Sequence, residues 1–336
     1  MRSVKSRSFF EQMKGRGGDH INGFRKVPGV RIVGLCDVDQ RVLEGGVRKL
    51  REDGSDVKAF KDVRDCLADP DIDIVATATP NHWHALLTIW ACQANKDVYV
   101  EKPVSHNVWE GRQAVEAARK YRRMVQTGTQ SRSSQAIREA VAWVRGGNLG
   151  RILVARGLCY KPRMSIGKVD GPQPIPEGID YNLWCGPAPM APLMRKNLHY
   201  DWHWDFETGN GDLGNQGIHQ MDIARWFLGE PELSPSVISV GGRLGYVDDG
   251  NTPNTQIVYH GYEKAPLIFE VRGLPRDKAS QAEGWGKNMD QFMGARVGVV
   301  VHCEGGHVLV PDYSSSIAFD KSGQEIKRWN GASDHY

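Results

Sequence analysis

Between residues 30 and 147, short apolar runs rich in β-branched residues alternate with segments of helical periodicity, and few folds accommodate that alternation. Val30–Cys36, Asp71–Thr77, Asp97–Val100 and Met124–Thr127 read as strands. Residues 40–51, 84–93 and 108–121 read as helices between them. Ile137, Val141 and Val144 share one face of a further helix, closed by Gly146-Gly147. Helices between successive strands require crossover connections, hence parallel βαβ units and a doubly wound sheet.

After Gly150 the pattern changes. Arg151–Tyr160 and residues 236–245, 255–261, 265–273, 295–303, 306–311 and 315–320 read as strands, mostly without helices between them. That predicts a largely antiparallel sheet, an α+β unit. The expected division is residues 1–148 and 149–336. Between the first two of these strands lie Pro172, Pro174, Pro176, Pro187, Pro189 and Pro192, predicting a long ordered loop or lid.

At 336 residues the chain is long enough for two cores. A net charge of +3 with dispersed basic residues argues against a nucleic-acid or membrane-surface partner. No apolar run approaches a membrane span. The six cysteines are scattered without ligand-like spacing, which argues against a metal site or a disulfide framework and fits a reducing compartment. The first residues are basic but lack the apolar stretch of a secretory signal, so a cytoplasmic location is expected.

Three stretches carry candidate chemistry. Val98–Val104 places Glu101 and Lys102 at the C-terminal end of a strand, where open α/β sheets bind ligands. Gly15-Arg16-Gly17-Gly18 precedes a possible helix, and Asp37 lies 20 residues beyond Gly17 at the end of the next strand. Together they read as a dinucleotide fingerprint with losses, since Gln12 and Lys14 stand where glycines belong. The strand before it, Val4–Phe10, is too polar for a central slot, so the first strand is expected to be degenerate or missing. An ordinary surface turn explains the glycines equally well.

In the second half Asn215, His219 and Asp222 occupy i, i+4 and i+7 of a predicted helix, and so share a face. Gly211, Gly214 and Gly217 beneath them imply close approach by a backbone or a ligand. Just before lies an aromatic and polar cluster containing Tyr200, His203 and Trp204, suited to stacking on a sugar or to forming an aromatic core.

Leu35–Asp39, the Thr79-Pro80-Asn81-His-Trp-His84 loop, Glu101-Lys102-Pro103 and the glycine-rich helix with His219 occur in order along the chain. In this the sequence resembles the Gfo/Idh/MocA oxidoreductases. The resemblance implies a Rossmann-like domain followed by an open-faced, mostly antiparallel sheet, and an enzyme oxidising a secondary hydroxyl of a sugar, sugar derivative or cyclitol. It implies NAD contacts from Gly15, Arg16, Gly17, Asp37, Thr79, Pro80, Asn81, His84, Glu101 and Lys102, with Asp37 favouring NAD over NADP. Lys102 and His219 take the catalytic roles with Asn215 beside them. Tyr200, His203, Trp204 and Asp222 join Lys102 and His219 around the substrate. A homo-oligomer formed through the second sheet is also implied. Asn215 stands where many members carry aspartate, and both chain ends look truncated against the family pattern. Two alternatives stay open: NAD-assisted glycoside cleavage through a keto intermediate, and a non-catalytic sugar- or nucleotide-binding member.

Overall fold

The computed structural model describes the backbone of residues 6–11 together with residues 15–283 and 286–331. Gln12, Lys14 and the Ser333–Tyr336 end therefore lie outside the described residues. Six strands, β1 (Ser6–Glu11), β2 (Val30–Cys36), β3 (Lys58–Phe60), β4 (Ile74–Thr77), β5 (Asp97–Val100) and β6 (Val125–Thr127), form a sheet in the order β3-β2-β1-β4-β5-β6. Every pairing in it is parallel. The order reverses between β1 and β4, which opens the crevice where such sheets hold ligands.

The expectation of a degenerate or missing first strand is corrected in part. Ser6–Glu11 fills the central slot, pairing Ser6 with Val30 and Ser8 with Ile74. Its composition is poor for that place. Yet β2 and β4 each offer it a backbone ladder, and that demand for partners overrides a weak local propensity.

Helices cover both faces. On one, α1 (Arg16–Phe24) and α2 (Gln40–Glu52) bury Ile21, Leu43, Val47 and Leu50 against Ile32, Leu35 and Ala76. Beyond the short α3 (Val63–Ala68), the other face carries α4 (Asn81–Gln93) and α5 (Val108–Tyr121), with Leu87, Ala91 and Ala117 against Val75, Val98 and Val100. Strand β5 shows why period-2 alternation matters: Val98 and Val100 serve one core while Tyr99 packs on the opposite side. Helix α6 (Gln135–Arg145) starts where the Ser134 side chain caps the Ile137 amide.

The second sheet has eight strands: β7 (Ile152–Cys159), β8 (Val237–Gly242), β9 (Thr255–His260), β10 (Leu267–Arg272), β11 (Val297–Cys303), β12 (Gly306–Val310), β13 (Ser315–Asp320) and β14 (Glu325–Asn330). Their order is β14-β13-β12-β11-β7-β10-β9-β8, antiparallel except for β7 beside β10. Between β7 and β8 the chain forms short helices α7 (Tyr181–Cys185) and α8 (Leu198–Asp201), then α9 (Ile218–Leu228). Helices α6 and α9 lie on one face, with Ile137, Val141, Ile223 and Phe227 buried against Phe269, Val299 and Val301. By packing, α6 therefore belongs with the second sheet although it precedes residue 149.

The proline-rich segment is an ordered strap over the first domain. Gly178 O accepts from the Gln40 amide, and the Asp180 amide donates to Val38 O. Trp184, Leu193, Leu198 and Trp202 bury themselves together, with Val38 against them.

Candidate active site

Strand β5 delivers Glu101 and Lys102 to the ligand end of the parallel sheet. The Glu101 carboxylate is buried, accepting from His20 Nε2 at 3.1 Å and from the Lys102 amide at 3.2 Å. Burial works against its ionisation, but the His20 hydrogen bond and the charges of His20 and Lys102 outweigh that and hold its pKa below the ordinary value. Gly128 leaves room for it, since a Cβ there would come within 2.9 Å of Glu101 Oε1. Lys102 Nζ reaches across to the second domain and donates to Asn215 O at 2.8 Å. Burial lowers the lysine pKa, with the Glu101 charge opposing.

The segment meeting Lys102 departs from the expected regular helix. Residues Leu213–Gly217 form a π-helical turn before α9 begins. Such a turn sits frequently at functional sites and changes which side chains share a face. Asn215 and His219 both line a cavity of about 240 Å³ with Lys102, Arg16, Thr79, Asn81, His84, Glu101 and His203. His219 is buried, and its ring meets the Tyr313 ring edge-on at 5.8 Å. The glycines below serve packing: a Cβ on Gly217 would lie 2.1 Å from the Phe269 ring, so the close neighbour is a side chain of the second sheet.

Loop Thr79–Asn81 is bolted in place by His84. Its Nδ1 faces Pro103 O at 2.6 Å and its Nε2 faces Thr79 O at 2.9 Å. A neutral imidazole has one N–H to donate and burial pushes the pKa down, so only one carbonyl is satisfied at a time. Asn81 Nδ2 donates to Asn210 Oδ1 at 3.0 Å, tying the loop to the second domain.

At the far end of the crevice, Gly15 precedes α1 with φ of +68°, a conformation that favours glycine, and no side chain among the described residues caps the helix. Its first amides suit a phosphate, with Arg16 beside them. Asp37 is buried: Oδ1 accepts from the Asp39 amide at 2.9 Å, while Oδ2 has no hydrogen-bond partner among the described residues. Burial pushes its pKa up to about 7. Within the described residues, an uncapped helix start and a buried carboxylate oxygen lacking a donor both fit a dinucleotide, the helix for its pyrophosphate and Asp37 for ribose hydroxyls.

Seven expected contacts do not line the cavity: Gly15, Gly17 and Asp37 at the dinucleotide end, and Asp222, Tyr200, Trp204 and Pro80. Asp222 is held by Arg132, with Nε and Nη2 each 2.8 Å from a carboxylate oxygen, and does not line it. Tyr200 is about half exposed, at 46%, and Trp204 is buried under the Arg163 guanidinium at 4.9 Å. Pro80 caps α4 and accepts from the Trp83 amide. Of the aromatic cluster, His203 and its stacking partner Trp202 reach the cavity, the rings 3.6 Å apart. Burial lowers the His203 pKa to about 4, so its ring is neutral near physiological pH.

Sequence reasoning passed over Gln130, Gln216 and Tyr313, which also line the cavity. Gln130 follows β6, and its strand-end position was a usable signal. Gln216 sits beside Asn215 in the glycine-rich run. Tyr313 lies between β12 and β13 and has no local signal; Gln216 Nε2 donates to its hydroxyl at 2.7 Å and Gln220 Nε2 at 3.0 Å. Among the described residues no cluster of His, Cys, Asp and Glu is arranged to hold a metal ion.

This strand order, with an uncapped helix after β1 and a carboxylate ending β2, defines a dinucleotide-binding domain built beside a second, sheet-based domain. The family described as "Oxidoreductase family, NAD-binding Rossmann fold" matches residues 14–129, and its "C-terminal alpha/beta domain" matches residues 149–293. The chain belongs to the Gfo/Idh/MocA oxidoreductase family. A levoglucosan dehydrogenase of Pseudarthrobacter phenanthrenivorans is 28% identical over 53% of this chain and 38% of its own length. An inositol 2-dehydrogenase of Rubrobacter xylanophilus is 27% identical over 77% of this chain and 67% of its own. The chain thus spans well under half of the first relative and about two thirds of the second. The solved structure of a levoglucosan dehydrogenase with NADH and levoglucosan superposes with a TM-score of 0.71 at 18% identity, covering 97% of this chain and 80% of that one. That last likeness is one of fold.

Proposed function

We propose that this protein oxidises a secondary hydroxyl of a sugar, sugar derivative or cyclitol with NAD. The observation carrying the reading is that Lys102 and His219, 117 positions apart, line one cavity between the two domains. NAD, when bound, supplies the hydride acceptor. Arg16 and the first amides of α1 would hold its pyrophosphate, and Asp37 its adenosine ribose. The Lys102 ammonium, half-buried, stabilises the alkoxide that develops at the substrate oxygen. His219 receives the hydroxyl proton as the carbinol carbon gives up hydride, leaving a ketone. Asn215 holds Lys102 through its carbonyl, while Tyr313 packs against the His219 ring.

The test is incubation of the purified chain with NAD and a panel of sugars and cyclitols, followed at the NADH absorbance band. Substrate-dependent NADH formation supports the reading. Loss of substrate with no net NADH and release of a cleaved sugar would replace it with redox-assisted glycoside cleavage.

The same reading includes a homo-oligomer through the second sheet. Ile238 and Val240 on β8 pair with Tyr259 and Ile257 on β9, so the four side chains share a face. They are 62%, 71%, 39% and 51% exposed, an apolar patch suited to a second copy. Ile238→Lys with Val240→Lys is expected to halve the mass or more by light scattering while leaving Tm within a few degrees. An unchanged mass removes this patch as the interface. The six buried, free thiols suit a reducing setting, which the reading takes to be the cytoplasm.

A further inference from the structure

The reacting cavity has a neighbour. A second cavity of about 550 Å³ shares Gln216 and Tyr313 with it and is lined also by Lys161 and Arg296. The two cations line one cavity because the strands they flank, β7 and β11, pair. Cys159 of β7 lies opposite Val297 of β11, and the Tyr160 amide donates to Arg296 O at 2.8 Å. Lys161 and Arg296 therefore leave the middle of the sheet at the same end of two paired strands.

Among the described residues neither cation has a carboxylate within ion-pair distance. Lys161 Nζ donates to Gln216 Oε1 at 3.1 Å, a neutral partner, and Arg296 Nη2 reaches only Gly286 O at 3.4 Å. Burial, and then the nearby Arg163 charge, push the Lys161 pKa down. Two nearby arginines are paired: Arg163 grips Asp212 at 2.6 and 2.5 Å, and Arg272 meets Glu270 at 2.9 Å. The acidic group on the cavity wall, Asp312, is taken up in its own turn by the Ser314 amide and by the Ser314 and Ser315 hydroxyls, at 2.7, 2.9 and 3.0 Å. A half-buried ammonium left with a neutral partner carries a desolvation cost that an anion would offset.

The π-turn links the two cavities. Asn215 O holds Lys102 on the reacting side, and the next residue, Gln216, holds Lys161 on the other. A ligand lying across this turn would meet an ammonium at each end. Lys102 serves the reacting hydroxyl, which leaves Lys161 and Arg296 for a second group.

We propose that Lys161 and Arg296 form a subsite for an anionic substituent, a carboxylate or a phosphate, on the sugar whose hydroxyl lies at Lys102 and His219. The inference rests on the sugar reading above and narrows it: the preferred substrate is an acidic or phosphorylated sugar. Charge-assisted hydrogen bonds to the two cations supply the preference.

The test is titration calorimetry on the full chain saturated with NADH, using glucose, galactose and mannose with the matching uronates and 6-phosphates. At least one anionic sugar is expected to bind tenfold or more tighter than its neutral parent, with the margin shrinking as salt rises. Comparing uronates with phosphates identifies which anion is meant. Lys161→Met and Arg296→Gln are each expected to lose about tenfold for the anionic sugar and little for the neutral one, while Lys161→Arg keeps most of the margin. Equal binding of neutral and anionic sugars, a preference surviving both substitutions, or no binding of any of them overturns the proposal. Oxidation is read separately by NADH absorbance. Tight anionic binding without turnover would leave the subsite standing and sink the dehydrogenase reading; turnover of neutral sugars alone, with no anionic preference, would do the reverse.

Discussion

Lys102→Ala is expected to lower kcat by about two to three orders of magnitude, the usual loss when one charge-stabilising donor is removed from a reacting oxygen. Its effect on stability should be small. The side chain's resolved hydrogen bond is the one to Asn215 O, worth about 1 kcal/mol net. Removing the ammonium ends its burial cost and the repulsion from Arg16 and Lys161, which offsets the attraction to Glu101 lost with it. His219→Gln, chosen because the site is buried and alanine would leave a hole, is expected to cost roughly 10²–10⁴-fold in kcat through loss of the proton acceptor. Turnover followed at the NADH absorbance band, beside Tm, separates the two effects. A variant at either position that keeps wild-type turnover on the true substrate removes that residue from the chemistry.

The second large effect concerns Asp37, and its sign is set by burial. Its folded-state pKa, about 7, lies above the 3.8 usual for an aspartate. Its contribution to folding stability is therefore fully present below about pH 4 and is lost as pH rises through 7. At about 1.4 kcal/mol per pKa unit, the loss amounts to roughly 4 kcal/mol at most. Ribose hydroxyls donate to the ionised form, so NAD binding runs the opposite way. Affinity is expected to rise with pH up to about 7 and then level off, because below that pH binding must release the Asp37 proton. Asp37→Asn should remove both trends, raise Tm at pH 8, weaken NAD about tenfold or more and narrow the preference for NAD over NADP. Calorimetry with both cofactors at pH 6 and pH 8, with melting curves alongside, checks each point. NADPH binding tighter than NADH to the unmodified chain, or an Asp37→Asn variant with unaltered NAD affinity, overturns the assignment.

Much of the fold was legible because it rests on local periodicity. The strands that became β2, β4, β5 and β6 announced themselves as short apolar runs between helical segments, and their parallel arrangement follows from the crossovers. Lys102 was legible for a related reason: the C-terminal ends of parallel strands face the ligand crevice, so a charged residue ending β5 has few other places to go. Asp37, ending β2, follows the same logic.

Other features left no such trace. The polar run Ser6–Glu11 takes the central slot because β2 and β4 both need a hydrogen-bonding partner, a condition set by residues far along the chain. The shared face expected for Asn215, His219 and Asp222 assumed a regular helix. The π-turn at Leu213–Gly217 and the Arg132 guanidinium instead leave Asp222 outside the cavity. Tyr313 reaches His219 only because the second sheet brings the turn between β12 and β13 beside α9.

From the sequence alone came what depends on spacing along one segment: the two kinds of sheet, the strand ends, and the candidacy of Lys102, Asp37 and His219. The tertiary structure decided which groups became neighbours. It chose Arg132 for Asp222, Gln216 and Gln220 for Tyr313, and a shared cavity for Lys161 and Arg296. The physical reason is range. Backbone periodicity is set by nearest neighbours in the chain, whereas burial, pairing and pKa depend on every element packed around a group, and those elements come from distant sequence.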